Sequence, residues 1–431
     1  MKVSIYTLGC KVNQYETAAL EAELRRRGHE LVPFEEAADA YIINTCTVTA
    51  VSDKKSRHTI RQARKRSPNG VVAVCGCYAQ TAPEAVAALG VDLVAGTAGR
   101  LAFLDDLEEL LRRRQETPVV TVDNIMAHRT FEPLSGGGLE GRTRAMLKVE
   151  DGCVNFCTYC IIPYARGPVR SLSIDDARRE LARLLAEGYR EIVLTGIEIS
   201  SWGHDLKQGE TLIDLLEGLC RDLPPQVRLR LGSLEPRTIT PEFCRRAAAL
   251  PNLCPHFHLS MQSGCDTVLK RMNRKYDTER YWESIVLLRE FFPSPAITTD
   301  LIVGFPGETE EEFQATLDFV ERCAFSAMHI FPYSRRTGTP AAQMAEQVPN
   351  AVKEERAHRA AALAQRLEQA YLDCWVGSTL PVLFEEEKDG LWRGHAPNYV
   401  EVLAAGEQLH NVEREVEITA RRGTSLLGVI H

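Results

Sequence analysis

The sequence predicts an α/β chain in three units: a small parallel α/β domain over residues 1–135, an open (β/α)6 barrel over 140–372 and a five-stranded β-barrel over 375–431. Three observations carry that reading. Short runs rich in valine and isoleucine alternate with helical stretches through most of the chain. The segment FEPLSGGGLEGRTRA breaks the alternation with a proline and several glycines. Past the long amphipathic stretch VKEERAHRAAALAQRLEQAYLDCWVG, only short strand-like runs remain.

A length of 431 residues exceeds one ordinary domain. With 26% charged and 44% hydrophobic residues the composition is that of a globular protein, and no apolar run is long enough to span a bilayer. The opening MKVSIYTLGC reads as a strand and not a signal peptide, so a cytoplasmic location without membrane contact is expected. Thirteen cysteines are too irregular for a disulfide scaffold, and metal ligation explains some of them better. A net charge of -8 argues against coating nucleic acid by charge alone. One segment is locally basic: Lys54, Lys55, Arg57, Arg61, Arg64, Lys65 and Arg66 crowd a single helix, as an RNA contact or as an ordinary solvated face.

In the first domain the strands are VSIYTL, AYIIN, VVAV and VDLVAG, separated by helices such as YETAALEAELRRRG and KKSRHTIRQARKRS. Cys10, Cys46 and Cys77 each follow one of the first three. The carboxyl ends of parallel strands converge on one edge, so these thiols are expected to meet there, as a three-thiolate cluster site or as separately buried cysteines. Cys75 belongs inside its strand, with Gly76 turning the chain to present Cys77. Asn13, Gln14, Asn44 and Thr45 stand beside the candidate ligands, able to orient a cluster or to cap strand ends.

The middle unit has strands RAMLKV, EIVLTG, RLRLGS, FHLSM, AITTDLIVG and AMHIF, which suit a partial barrel whose working residues sit at strand carboxyl ends. GCVNFCTYC follows the first of them. Cys153, Cys157 and Cys160, with Tyr159 between the last two, can grip three corners of a four-iron, four-sulfur cluster and leave one iron free for a ligand with an amine and a carboxylate. A zinc knuckle or scattered core cysteines are the alternatives, though zinc favours four ligands at two-residue spacings. The spacing resembles the signature of radical S-adenosylmethionine (SAM) enzymes.

Later strand ends offer cofactor contacts: Glu198, Ser200 and Ser201, then Ser233 and Glu235, then Ser260, Gln262 and Ser263. Ile302 and Val303 are candidates for an adenine pocket, and Arg166 and Arg170 for a cofactor carboxylate or an RNA phosphate. His256 and His258 share a strand face without a partner set for zinc, and Cys220, Cys244, Cys254, Cys265, Cys323 and Cys374 read as packing or incidental thiols. No phosphate loop, HExxH or GxSxG motif occurs. In the tail, Trp392, His395, Asn398 and Tyr399 are candidate RNA contacts, although Glu385, Glu386 and Glu387 make the module locally acidic.

The blocks TLGCKVNQYE, NTCTVT, GCYAQ, GCVNFCTYCIIPYARG, LTGIEISSWG, SLEP, HLSMQSG and TDLIVGFPGE, in that order, resemble the radical-SAM methylthiotransferases across nearly the whole chain. KVNQ after Cys10 resembles the threonylcarbamoyladenosine branch, and the tail resembles the family's TRAM domain, an RNA-binding β-barrel. RGPVRS, and Ser260 where proline is common, depart from the pattern.

The resemblance implies two 4Fe-4S clusters, one on Cys10, Cys46 and Cys77 and one on Cys153, Cys157 and Cys160, with SAM on the second. Tyr159, Glu198, Ser233, Glu235, Gln262 and Arg170 are then cofactor-binding candidates. It implies methylthiolation at C2 of N6-threonylcarbamoyladenosine 37 of tRNA. The partners it implies are a tRNA anticodon stem-loop and an electron donor such as flavodoxin or ferredoxin, acting with a monomer. Methylthiolation of a ribosomal-protein aspartate and a non-catalytic iron-sulfur RNA-binding role are the competing expectations.

Overall fold

The structure, a computed structural model, describes residues 1–136, 141–221 and 223–431. The first unit is a six-stranded parallel sheet of β1 (Lys2–Thr7), β2 (Glu30–Leu31), β3 (Ala40–Thr45), β4 (Val71–Gly76), β5 (Leu93–Ala95) and β6 (Val119–Thr121), in the order β2-β1-β3-β4-β5-β6. β3 and β4 are buried throughout, which is why both read as unbroken apolar runs. α1 (Lys11–Arg26) and α5 (Arg100–Arg112) cover one face through Leu20, Leu24, Phe103 and Leu107. α2 (Ala50–Arg66), α3 (Cys77–Thr81) and α4 (Pro83–Ala87) cover the other through Ile60, Ala63, Tyr78 and Val86.

Two strands of this unit escape sequence reading. β2 has two residues and β6 three, too short for an alternation signal. Yet β2 matters, because its position on the outer side of β1 creates a reversal of strand order between β1 and β3, and ligands in such sheets gather at that crevice.

The connection that follows is less loose than its glycines suggest. Phe131 and Leu134 are buried, and the Tyr15 hydroxyl of α1 donates to the Leu134 carbonyl. Residues 137–140, the glycine-rich part of the expected linker, lie outside the described residues.

The second unit opens with β7 (Arg144–Lys148) and the short antiparallel pair β8 (Glu150–Asp151) and β9 (Arg170–Ser171), with α6 (Ile162–Arg166) between them. α7 (Ile174–Ala186), β10 (Glu191–Thr195), α8 (Leu212–Cys220), β11 (Arg228–Leu231), β12 (Ser233–Leu234) and α9 (Pro241–Ala248) follow. β13 (His256–Leu259), α10 (Asp266–Arg271), α11 (Thr278–Phe291), β14 (Ala296–Val303), α12 (Glu310–Cys323) and β15 (Ala327–Pro332) complete the wall. All pairings in the two resulting sheets, β11-β10-β7 and β12-β13-β14-β15, are parallel, and only Gly232 separates β11 from β12. This is the six-stranded open barrel the sequence predicts.

Alternation sorts its residues. Ala145, Leu147, Ile192, Leu194, Leu229 and Phe257 pack outward against the helices, whereas Met146, Val193, Arg230 and His256 line one inner cavity. Helix starts are set by local chemistry: the Ser173 hydroxyl accepts from the Asp176 N–H to cap α7, and Thr309 and Glu312 close a capping box on α12.

α13 (Asn350–Asp373) packs along β15 and α12 and leads into the third unit. There β16 (Thr379–Lys388), β17 (Leu391–His395), β18 (Glu401–Ala404), β19 (Glu413–Arg422) and β20 (Ser425–Ile430) form a closed barrel in the order β16-β17-β18-β20-β19. Closure leaves no free edge, and Val382, Phe384, Val402, Val416 and Leu426 fill the interior.

Candidate active site

The first thiol set forms at the switch of strand order. Cys10 caps α1 after β1, Cys46 follows β3, and Cys77 opens α3 after β4. Gly9 is required here. Its φ is +111°, and a side-chain carbon would lie 2.8 Å from Cys46 Cβ and 3.0 Å from Cys46 Sγ. Gly76, at φ +97°, meets Asn44 Oδ1 and the Thr45 carbonyl at 2.6 Å in the same way, and turns the chain out of β4 as the sequence predicts. Cys75 is fully buried in the sheet core.

The three thiols lie close enough that ionising one disfavours ionising the next. Burial raises the Cys46 thiol and pushes Cys77 up to about 12. Against that, the N–H groups of Val48 and Thr47 point at Cys46, and Arg166 Nε lies 3.3 Å from Cys77 Sγ. Asn13 accepts at 3.8 Å from Cys10 Sγ and donates to the Leu8 and Thr45 carbonyls, tying the first two cysteine loops together.

The second set sits on the loop after β8. Cys157 is buried, and Cys153 and Cys160 are half-buried. Burial raises the thiols of Cys153 and Cys160, the latter to about 12, and the N–H groups of Asn155 and Ile162 oppose it. Thr158 anchors the loop through its N–H to Met272 and its hydroxyl to the Arg271 carbonyl. Tyr159 packs with Val268, Met272, Phe305 and Tyr333, with Ile302 beside it. Val303 instead belongs to the barrel core.

Arg274 organises this site, although no motif in the linear chain marks it. Its guanidinium lies 3.2 Å from Cys157 Sγ, 3.5 Å from the Tyr159 hydroxyl, 3.2 Å from the Ser260 carbonyl and 3.1 Å from Glu235. Asn155 adds a link, donating to Glu235 at 3.1 Å and to Glu198 at 3.3 Å. Glu198 and Glu235 are thus one pair of carboxylates facing the thiol loop. Burial first and Glu235 second raise Glu198 to about 7. Ser200 Oγ accepts from the Glu235 N–H, fixing that strand end, and a cavity of about 610 Å³ reaches from Ser200 and Glu235 toward α8 and α9.

The remaining candidates divide. Gln262, at φ +67°, is held by backbone bonds to Asp300 and Ile302. Ser233 is exposed at the end of β12. Arg170 and Arg166 differ from expectation: both are buried and committed elsewhere, Arg170 to the Arg166 carbonyl and to Asp151 at 3.4 Å, and Arg166 to Glu16, Asn13 and Cys77. In the tail, Trp392 fills the barrel core and Asn398 is buried against Tyr371, so neither is free to stack on a base.

A network of charges welds the two domains. Glu16 of α1, 1% exposed, binds Arg100 at 2.6 Å, Lys148 at 3.0 Å and Arg166, while Lys148 reaches Asp151 at 2.7 Å. Burial alone would raise Glu16; Arg100, Arg166 and Lys148 instead hold it well below the ordinary carboxylate value. Asp53 and Thr47, beside Cys46, make a second contact with Arg336.

These residues fit iron-sulfur clusters. Each set gathers three thiols amid N–H donors with one cationic side chain, which stabilises thiolates. Among the described residues no three Cys, His, Asp or Glu side chains converge on a single ion. A cluster does not require that convergence, since each thiolate binds a different iron. Val48, Val51, Val154, Phe156 and Tyr164 form exposed apolar rims on the two cysteine loops and their neighbours.

A model of the Radical SAM superfamily matches residues 147–320, and one described as Uncharacterized protein family UPF0004 matches residues 2–96. The thiol loop at the mouth of an open barrel and the first of these matches define a radical-SAM enzyme, a class whose chemistry uses iron-sulfur and SAM. The chain is 43% identical over 412 residues to "Threonylcarbamoyladenosine tRNA methylthiotransferase MtaB" of Bacillus subtilis, covering 94% of this chain and 91% of that protein. It is 39% identical to the protein of the same name from Aquifex aeolicus (94% and 97% covered). A "tRNA-2-methylthio-N(6)-dimethylallyladenosine synthase" of Acetivibrio thermocellus is 35% identical (88% and 79% covered). The chain belongs to the threonylcarbamoyladenosine tRNA methylthiotransferase family.

In fold it is similar to the radical S-adenosylmethionine methyltransferase TsrM of Kitasatospora setae, with a TM-score of 0.58 at 17% identity over 79% of this chain and 76% of that one. The cobalamin-dependent radical enzyme OxsB gives 0.52 at 13% identity over 83% and 56%. Among the described residues no helix is long and apolar enough to cross a membrane.

Proposed function

We propose that this chain transfers a methylthio group to C2 of N6-threonylcarbamoyladenosine at position 37 of tRNA, using one 4Fe-4S cluster on Cys153, Cys157 and Cys160 and another on Cys10, Cys46 and Cys77. The observation that carries the reading is a pair of three-thiol sets on two domains locked together by Glu16, in a chain whose relatives carry that activity in their names. When bound, the clusters and SAM supply the one-electron chemistry that an unactivated C2–H bond requires and the sulfur that replaces its hydrogen.

The protein's own residues do the rest. Three cysteines per set would hold a cluster and leave one of its irons without a protein ligand. Arg274 offsets thiolate charge at Cys157, as Arg166 does at Cys77. Glu198 and Glu235, oriented by Asn155, offer carboxylates that would accept from the N–H groups of the SAM amine, and Tyr159 borders the site on its apolar side. The apolar rims exclude water and receive a base that has left its stack. Lys54, Lys55, Arg61 and Lys65 on the exposed face of α2, just beyond Cys46, supply phosphate contacts that net charge conceals.

The test is incubation of anaerobically reconstituted, reduced protein with SAM and tRNA carrying threonylcarbamoyladenosine. A methylthio mass gain on that nucleoside, with about two SAM consumed per product, is expected. Absence of product while the same preparation cleaves SAM contradicts the substrate assignment.

A further inference from the structure

A second cavity, of about 580 Å³, lies where all three units meet. Its walls come from α1, from the inner faces of β7, β10, β11 and β13, and from the third unit. Most of its charges are already paired. Arg230 binds Glu191 at 2.7 Å and the Pro397 carbonyl at 2.8 Å, Arg144 binds Glu385 at 3.0 Å, and Arg393 binds Glu386. Glu385 is further held by His395 at 2.7 Å, so both acids of the cavity are neutralised.

Two cations are left over. Lys11 and Arg142 line the same cavity, both retain solvent contact, and neither makes a hydrogen bond or ion pair with the described residues. Lys11 lies near enough to Arg230 and Arg144 to be repelled by them, with Tyr399 and Glu191 acting in the opposite sense. Gln14, one helical turn beyond Lys11, also lines the cavity with its amide unengaged. In the wall opposite, the buried Nδ1 of His256 has no partner. A cavity with unmatched positive charge, a free amide and an orphaned ring nitrogen is built for an anion that carries further polar groups. It shares elements with the site as well: Lys11 directly follows Cys10, and Met146 lies on the strand that leads to the Cys153 loop.

We infer that Lys11 and Arg142 bind the carboxylate of the threonyl group on the substrate base, with Gln14 pairing to the carbamoyl linkage, so that this cavity selects threonylcarbamoyladenosine over adenosines with uncharged N6 substituents. The inference rests on the function proposed above and names the residues that set its substrate preference. A carboxylate meets two charge-assisted partners here, whereas an apolar substituent leaves both cations desolvated and unpaired.

The same cations also suit a backbone phosphate, so the experiment separates the two sources. Full-length protein, without added SAM, is titrated with synthetic anticodon stem-loops that differ only in carrying threonylcarbamoyladenosine or plain adenosine at position 37. The unaltered protein is expected to prefer the modified stem-loop by about tenfold or more. In Lys11→Met/Arg142→Gln that preference falls toward one through loss of affinity for the modified stem-loop alone, and Lys11→Arg restores much of it. An unchanged preference overturns the inference. Equal weakening toward both stem-loops overturns it too, since that result marks a phosphate contact. Failure of the proposed reaction appears separately, as missing product with the unaltered enzyme.

Discussion

At the residue scale the six cysteines were legible because cysteine after a strand end and the CxxxCxxC spacing are signals in the linear chain. Arg274 was not legible. It lies in a loop after a six-residue helix, and its contacts with Cys157 and Glu235 are made across 117 residues and 39 residues respectively. Arg170 shows the converse error, since proximity to the cysteine loop suggested a cofactor contact and the side chain turns inward to Asp151 and the Arg166 carbonyl.

Two predictions follow from the carboxylate pair and its arginine. Burial and the neighbouring Glu235 raise Glu198 to about 7, so above that pH its carboxylate is available to accept from the SAM amine and below it the group is neutral. Calorimetry on cluster-loaded protein should show SAM affinity falling as pH drops from 8 to 6, approaching about tenfold per unit on the acid side, and Glu198→Gln should flatten the profile. Arg274→Met leaves Glu235 with only the half-exposed Arg237 as its cation, and should cost about 1–3 kcal/mol in denaturant unfolding. Arg274→Lys should recover part of the stability while cluster retention at Cys157 stays impaired, because an ammonium cannot fork between sulfur and carboxylate.

At the element scale, helices and strands of ordinary length were readable from periodicity, and the short β2, β6, β8 and β9 were not. The loss is consequential, since β2 is what makes the crevice between β1 and β3 a ligand site. α1 proves to be the hinge of the assembly: Cys10 caps it, Lys11 and Gln14 face one cavity, and Glu16 is buried among three cations. A glutamate in YETAALEAELRRR looks like any helical surface residue.

Glu16→Gln should destabilise the chain by about 3–5 kcal/mol by leaving the buried Arg100 unpaired and Arg166 and Lys148 to share Asp151. Because the folded carboxylate is held below its ordinary value of 4.5, its contribution is complete above that pH and disappears as pH falls through the depressed value. Thermal melts from pH 7 to 3 should therefore decline more steeply in the unaltered protein than in the variant. Parallel curves would remove Glu16 from that role.

At the scale of the molecule, the three-unit order was visible in composition and rhythm, whereas the docking of the units was not, because it depends on charges far apart in sequence. Arg228 and Arg230 share Glu191 and reach the carbonyls of His395 and Pro397, so the third unit is clamped to the floor of the open barrel. Tyr399 sits in that joint, against the His256 and His395 rings and under Arg230. His395 and Tyr399 thus serve as contacts between domains.

The account stands on two distinct metal centres with different partners. Its most direct test compares two triple variants, one with Cys10, Cys46 and Cys77 changed to alanine and one with Cys153, Cys157 and Cys160 changed, by iron counting and electron paramagnetic resonance after oxygen-free reconstitution. Each should retain about four of about eight irons, and SAM should alter the spectrum only of the protein that keeps Cys153, Cys157 and Cys160. A full iron content in either variant, or a SAM response carried by the Cys10 set, would contradict it.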